Sequence, residues 1–198
     1  MSKENGVIYR ISGPVVTAVG ISPRMYEVVR VGDEGLMGEV IELHGDQSVI
    51  QVYEETSGIK PGEPVIRTGQ TLSVQLGPGL LTQIYDGIQR PLPKLEETMG
   101  VFITRGVDAD GLDLKRKWEF NAVAKKGDEV SSGQVIGKVQ ETETIEHRVM
   151  VPPNVGGKVK SIKSGTFNIT EPVCVLDDGT EIAMMQEWPV RHPRPFRQ

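Results

Sequence analysis

Gly6–Gly20 reads GVIYRISGPVVTAVG, two runs rich in β-branched residues, GVIYRI and PVVTAV, broken by Gly13-Pro14. Val, Ile and Tyr suit a pleated, half-buried surface, and a Gly-Pro step punctuates it. The same unit recurs downstream as MYEVVRV, LMGEVIEL, SVIQVY, PVIR and LSVQL. A spacing of about ten residues between such runs is that of a small sandwich or closed barrel. Residues 6–76 therefore predict a β-barrel, whose closure removes the exposed edges that strands this short would otherwise present. The connections fit. Gly32-Asp33 and Gly35 separate MYEVVRV from LMGEVIEL. Gly45-Asp46 reads as a hairpin turn, and Pro61-Gly62 as a type II turn with glycine where positive φ is needed.

The next stretch, Gly77–Pro93, is GPGLLTQIYDGIQRPLP. Leu80, Leu81, Ile84 and Tyr85 fall at helical spacing, Pro78 stands near a helix start and Gly87 at a C′ position. This predicts one short helix, stopped by Pro91 and Pro93. So short a helix is marginal in water, and its apolar stripe must dock on something. After it, Met99–Ile103 is a candidate strand and Asp108–Asp113 a polar loop.

From Lys115 a second β block runs to about Met185, with an internal echo. VAKKGDEVSSGQVIGKV (Val123–Val139) resembles VKSIKSGTFNITEPVCVL (Val159–Leu176). Each half has a lysine-bearing strand, a turn at Gly127 or Gly165, a second turn near Gly133 or Pro172, and a closing β-branched strand. Two such halves facing each other predict a small barrel-sandwich. The chain closes on EWPVRHPRPFRQ, whose prolines fit a linker that stops short of its destination. The sequence thus divides into 1–76, a barrel; 77–114, a connector with a helix; 115–185, a barrel-sandwich; and 186–198, a linker. The fold class is mainly β.

The composition excludes several classes of function. A net charge of −5 argues against a nucleic-acid surface. The single cysteine, Cys174, permits no intrachain disulfide, which fits a reducing compartment. The opening MSKENG lacks the apolar core of a signal peptide, and no apolar run reaches the roughly 20 residues of a spanning helix. The expectation is a cytoplasmic chain that meets a membrane through partners rather than by insertion.

A search for catalytic chemistry returns no site. Gly156-Gly157-Lys158 is followed by Val159 where a phosphate loop needs Ser or Thr, and Pro152 replaces the first glycine, so GGK reads as a β-turn. GPGLL is too poor in glycine for a dinucleotide fingerprint. His44, His147 and His192 lack metal-ligand spacing and read as surface or turn histidines, His147 pairing locally beside Glu146. Cys174, within VCVL, reads as a buried small hydrophobe. Glu54-Glu55 and Glu96-Glu97 would point to opposite faces of a strand, which suits solvated charge better than a catalytic pair. Asp108-Ala109-Asp110-Gly111 hints at a cation loop but lacks the closing glutamate. The expectation is no catalytic, cofactor-binding or metal-ligating residue.

GDEVSSGQVIGKV followed by VPPNVGGKV is similar to biotinyl and lipoyl carrier domains, which display a modifiable lysine on a hairpin between the halves. Here QETETIEHRVM occupies that place, with no lysine between Lys138 and Lys158. The carrier alternative therefore lacks its attachment point. A small-ligand-binding protein with a cleft between two β-modules is a third reading.

A wider resemblance covers nearly the whole chain in order. GVIYRISGPVVTAVG, MYEVVRVGDEGLMGEVIEL, VYEETSGIKPGEPV, LGPGLLTQIYDGIQRPLPKL, GVFITRGVDADGLDLKRKWEF, GDEVSSGQVIG, HRVMVPPNVGGKV and MMQEWPVRHPRP resemble the amino-terminal part of the catalytic A subunit of archaeal- and vacuolar-type rotary ATPases. The resemblance implies that the barrel belongs to a crown holding alternating A and B subunits. It implies that the barrel-sandwich is the bulge domain that meets the peripheral stalk. It places Mg-ATP and the catalytic groups in a later domain, so that this stretch alone neither hydrolyses nor binds ATP. It further implies that Gly77–Pro93 is the first piece of the nucleotide-binding domain, and that the assembled complex lies against the cytoplasmic side of a membrane.

Overall fold

The computed structural model describes residues 5–81, 83–100, 105–107 and 109–195. It is mainly β, and it divides into two compact units. One comprises residues 1–73 and 95–108, the other residues 74–94 and 109–198.

The first unit is a closed barrel of β1 (Asn5–Ser12), β2 (Val15–Val19), β3 (Glu27–Val31), β4 (Leu36–His44), β5 (Gln47–Val52) and β6 (Pro64–Thr71). The order is β1-β2-β5-β4-β3-β6, all antiparallel, with β6 returning to β1. Alternation decides what goes inside. On β2, Val16 and Ala18 are buried and Val15, Thr17 and Val19 look outward, and on β5 Ser48, Ile50 and Val52 are buried. Ile8, Ile21, Val29, Val31, Leu36, Val40, Ile59 and Val65 join them in the core. The predicted turns are present. Gly45-Asp46 closes the β4–β5 hairpin with Gly45 alone of the pair at positive φ (58°), as a type II′ turn requires. Glu63 N donates to Lys60 O, with Gly62 at φ 93°, a type II turn on Pro61-Gly62.

The seventh predicted strand, LSVQL, does not join the barrel. It forms β7 (Ser73–Leu76), which pairs with the strand Gln186–Pro189 of the second unit. Here the ten-residue rhythm misleads, because β propensity states that a segment is extended and not which sheet takes it.

The helix expected over Leu80–Asp86 is absent among the described residues of that stretch. Residues 80, 81 and 83–86 are irregular, with one isolated bridge between Tyr85 and Pro91, and the helix α1 occupies Leu92–Met99 instead. Pro93, expected to stop a helix, lies in the first turn of α1, where a missing N–H costs nothing. The left-handed residues differ too: Gln89 (φ 63°) and Gly79 (φ 105°), rather than Gly87. Gly100 (φ 74°) ends α1, its N–H donating to Glu96 O. The candidate strand Met99–Ile103 begins on helical Met99, and 101–103 lie outside the described residues. Beyond them the chain is tied to the barrel. Arg105 donates to the Glu55 and Ser57 carbonyls and to Glu34 Oε1, and Gly106 N donates to Glu54 Oε2 at 2.8 Å.

The second unit contains two four-stranded sheets. One is ordered β11-β10-β8-β13, from β8 (Lys117–Ala122), β10 (Val135–Gln140), β11 (Glu146–Met150) and β13 (Gly165–Asn168). The other is β15-β14-β12-β9, from β9 (Glu129–Val130), β12 (Gly157–Ile162), β14 (Pro172–Leu176) and β15 (Glu181–Ala183). Advancing every label of the first order by four, and carrying β13 back to β9, yields the second. The echo in the sequence is therefore a pseudo-twofold in the fold, with each half lending one short strand to the other's sheet. Its register differs from the sequence reading. Lys125-Lys126 lies in the turn before β9 rather than on a strand, and Gly165 opens β13 rather than a turn. The core between the sheets includes Trp118, Phe120, Ile136, Val149, Val159, Ile169, Cys174, Leu176 and Ile182. The last strand, β16 (Gln186–Pro189), pairs with β7.

Candidate functional site

The residues weighed as candidates from sequence do not converge. His44 is exposed on the barrel, 2.9 Å from Glu42. His192 is exposed in a turn, and its carbonyl accepts the Trp188 indole N–H. His147 is not on an exposed turn. It lies on β11 with its Nδ1 3.4 Å from Glu141, while Glu146 pairs with Lys138 instead. Cys174 is fully buried on β14, and burial pushes its thiol pKa up. Glu54 accepts from Met37 N and Gly106 N, Glu55 accepts from the Ser57 hydroxyl, and Glu96-Glu97 are exposed on α1 rather than on a strand. Gly156-Gly157-Lys158 is not a turn; Gly157 and Lys158 begin β12 and pair with Val130 and Glu129. Asp108 lies outside the described residues. Among the described residues no group of three or more His, Cys, Asp or Glu side chains comes together, and no helix is long and apolar enough to cross a membrane.

What the sequence reading missed is how Gly77–Pro91 is held. Three sets of bonds hold this strap in place within the second unit, two of them to residues outside the strap and one internal to it. At its base Gln75 and Gln89 exchange bonds: Gln75 N donates to Gln89 Oε1 (2.6 Å) and Gln89 Nε2 to Gln75 O (2.7 Å). Leu112 N adds a donor to Gln75 Oε1. At its far turn Asp86 Oδ1 accepts from Ile88 N and Arg90 N, and Oδ2 from Arg90 Nε at 2.7 Å. Burial raises the Asp86 pKa, but these donors and the guanidinium charge outweigh it and bring the net value down. Such a side-chain-to-backbone turn competes directly with a helix, which is why the periodicity of Leu80, Leu81 and Ile84 did not prevail.

The third attachment is Glu141, at the end of β10. Its side chain is 3% exposed, and its Oε1 accepts from Gly79 N at 2.8 Å and Leu81 N at 3.0 Å. The glycines of GPG permit the approach. A Cβ on Gly77 would stand 3.2 Å from Met185 Cα, and one on Gly79 3.4 Å from the Trp118 ring. Leu80 packs against the core that contains Leu112, Trp118 and Met184. The apolar stripe thus docks on the barrel-sandwich in part only, since Leu81 and Ile84 are 40% and 65% exposed.

The barrel has its own outward apolar surface. Val7 and Tyr9 point out of β1, Tyr9 being 61% exposed, and Ile66 points out of the adjoining β6. Val7 stands opposite Val19 of β2.

Comparison with known proteins adds the family. Residues 8–69 match the family described as "ATP synthase alpha/beta family, beta-barrel domain". Residues 109–191 match that described as "ATPsynthase alpha/beta subunit barrel-sandwich domain". Relatives include the A subunit of the A-type ATP synthase of Methanosarcina barkeri, 62% identical over 97% of this chain and 33% of the relative. Its counterpart from Methanoculleus marisnigri is 62% identical over 99% of the chain and 34% of the relative. That from Methanosarcina mazei is 60% identical over 98% and 33%. The chain spans about a third of the length of the curated relatives it matches.

Proposed function

Because the chain belongs to the ATP synthase alpha/beta family and corresponds to the amino-terminal region of the A subunit of A-type enzymes, we propose that it is the assembly end of a catalytic subunit of a rotary ATP synthase. In this reading residues 1–76 form the crown barrel, which takes its place beside B subunits in an alternating ring. Residues 77–114 connect it to the nucleotide-binding domain, and residues 115–185 form the bulge that meets the peripheral stalk. Residues 186–198 lead back toward the nucleotide-binding domain, where Mg-ATP is bound and turned over. The assembly sits peripherally on the cytoplasmic face of a membrane. ATP synthesis or hydrolysis coupled to proton or sodium movement is the work of the whole, and no residue of this chain touches the reacting phosphates.

The observation that carries the barrel's part is its closure together with the outward row Val7, Tyr9 and Ile66. A closed barrel offers no free strand edge, so a neighbour has to dock on side chains. Exposed aromatic and aliphatic residues on adjoining strands are the kind of surface that interfaces favour. Pull-down of the chain with B subunit, and separately with stalk subunits, tests this reading. Tyr9→Glu is expected to weaken capture of the B subunit while leaving the stalk contact unchanged. Failure of the folded wild-type chain to capture either partner overturns the proposal.

A further inference from the structure

We propose that the Glu141 carboxylate is a clasp that fixes the Gly77–Pro91 strap to the β10–β11 hairpin and so sets where Leu81 and Ile84 are presented. The inference stands on this chain's own geometry and does not depend on the assembly reading. Two backbone N–H groups, of Gly79 and Leu81, converge on one oxygen of a nearly buried carboxylate. Convergence of this kind needs a backbone that turns between the two donors, and Gly79 at φ 105° supplies the turn. Among the described residues of the strap no regular ladder pairs these two N–H groups. Bonds to an ionised acceptor are also stronger than neutral ones.

The support beneath the carboxylate is stiff. Glu141 N and Thr142 N both donate to Ile145 O, Ile145 N donates to the Thr142 hydroxyl, and the Gln140 amide donates to the Thr142 and Ile145 carbonyls. His147 braces the second carboxylate oxygen from the facing strand. A hairpin that displays a flexible arm has no use for a tip knotted in this way; one that anchors an incoming segment does. With the clasp removed, the strap keeps its base at Gln75–Gln89 and its turn at Asp86–Arg90. The intervening Gly79–Ile84, with its two exposed apolar side chains, is then free to move.

Residue-resolved amide exchange on the full chain tests the clasp. Glu141→Ala is expected to speed exchange at Gly79 and Leu81 by about tenfold or more, the loss of a bond to a charged acceptor. Glu141→Gln, which retains an amide oxygen, is expected to speed it less, with β12 and β14 unchanged in both variants. Unchanged exchange at Gly79 and Leu81 in a folded Glu141→Ala protein overturns the proposal. Should that variant fail to fold, Glu141→Gln decides in its place, and exchange at Gly79 and Leu81 unchanged from the wild type in that variant overturns the proposal.

Discussion

Arg67 donates two parallel hydrogen bonds to Glu27, Nε to Oε1 and Nη2 to Oε2, each 2.8 Å long, across the pairing of β6 with β3. Glu27 is 1% exposed, and its carboxylate also accepts from Arg24 N and Gly69 N. A buried carboxylate in the wall of a barrel is tolerable only because every lone pair has a donor. Removing one partner should be costly in proportion. Arg67→Ala, which leaves the carboxylate uncompensated, is expected to cost about 3–5 kcal/mol of barrel stability, the range for breaking a buried pair. Urea unfolding of the barrel checks it, and a loss within the scatter of surface substitutions contradicts it.

The same pair predicts a pH dependence with a definite sign. Burial by itself raises the Glu27 pKa, but the Arg67 bonds, the two backbone donors and the guanidinium charge outweigh it and leave the value below its ordinary 4.5. The folded barrel therefore prefers the ionised group more than the unfolded chain does. Its contribution is complete above pH 4.5 and is lost as pH falls from there through the lower folded value. Urea midpoints measured from about pH 7 to about pH 3 are expected to fall mainly below the ordinary 4.5, with a flatter profile for Glu27→Gln. Equal slopes for the two proteins would remove Glu27 from the explanation.

The barrel was legible because its information is local. Alternation along β2 and β5, and glycines at Gly45 and Gly62, state which side is inward and where the chain turns. The exchange of β9 and β13 between sheets was not legible, since a two-residue strand such as Glu129-Val130 carries no period. The strap departs from its sequence pattern for a definite reason. Leu80, Leu81 and Ile84 carry a helical period, but the deciding interactions are Asp86 with its own downstream backbone and Glu141 from 60 residues away. The first signal is present in sequence, as Asp two residues before Ile88 in a Gly-containing turn. The second is not, because nothing local marks Glu141 as an acceptor.

Gly137 offers a packing test of the sandwich. It lies on β10 opposite Ala122, and a Cβ there would overlap the Phe120 ring and stand 3.0 Å from Asn121 O. Phe120 is fully buried, so its ring has no open space to move into. Gly137→Ala is expected to cost about 1–3 kcal/mol, the range for overpacking a filled core. Gly133→Ala, with no atom within 4 Å of its Cβ, is the comparison that isolates backbone strain at positive φ (78°) from overlap. A loss in Gly137→Ala no greater than in Gly133→Ala, read from thermal midpoints, would contradict the packing argument.

His147 predicts a loss of stability on mild acidification, distinct from the barrel's. Burial lowers its pKa below 6.5, and the attraction of Glu141 recovers only part of that shift. The group is neutral in both states above pH 6.5, so nothing changes there. As pH falls below 6.5 the unfolded chain takes up a proton that the folded sandwich resists, and stability drops until the depressed folded value is passed. Burial therefore outweighs the ion pair, although His147 and Glu141 are close enough to form one. Had the pair dominated, acidification through pH 6.5 would stabilise the fold instead. Unfolding midpoints of the sandwich at about pH 7.5 and about pH 5.5 separate the two, and His147→Gln removes the proton in question. The wild type is expected to lose more stability than His147→Gln across that interval. A wild type that gains stability relative to the variant would show that Glu141 governs the charge of His147.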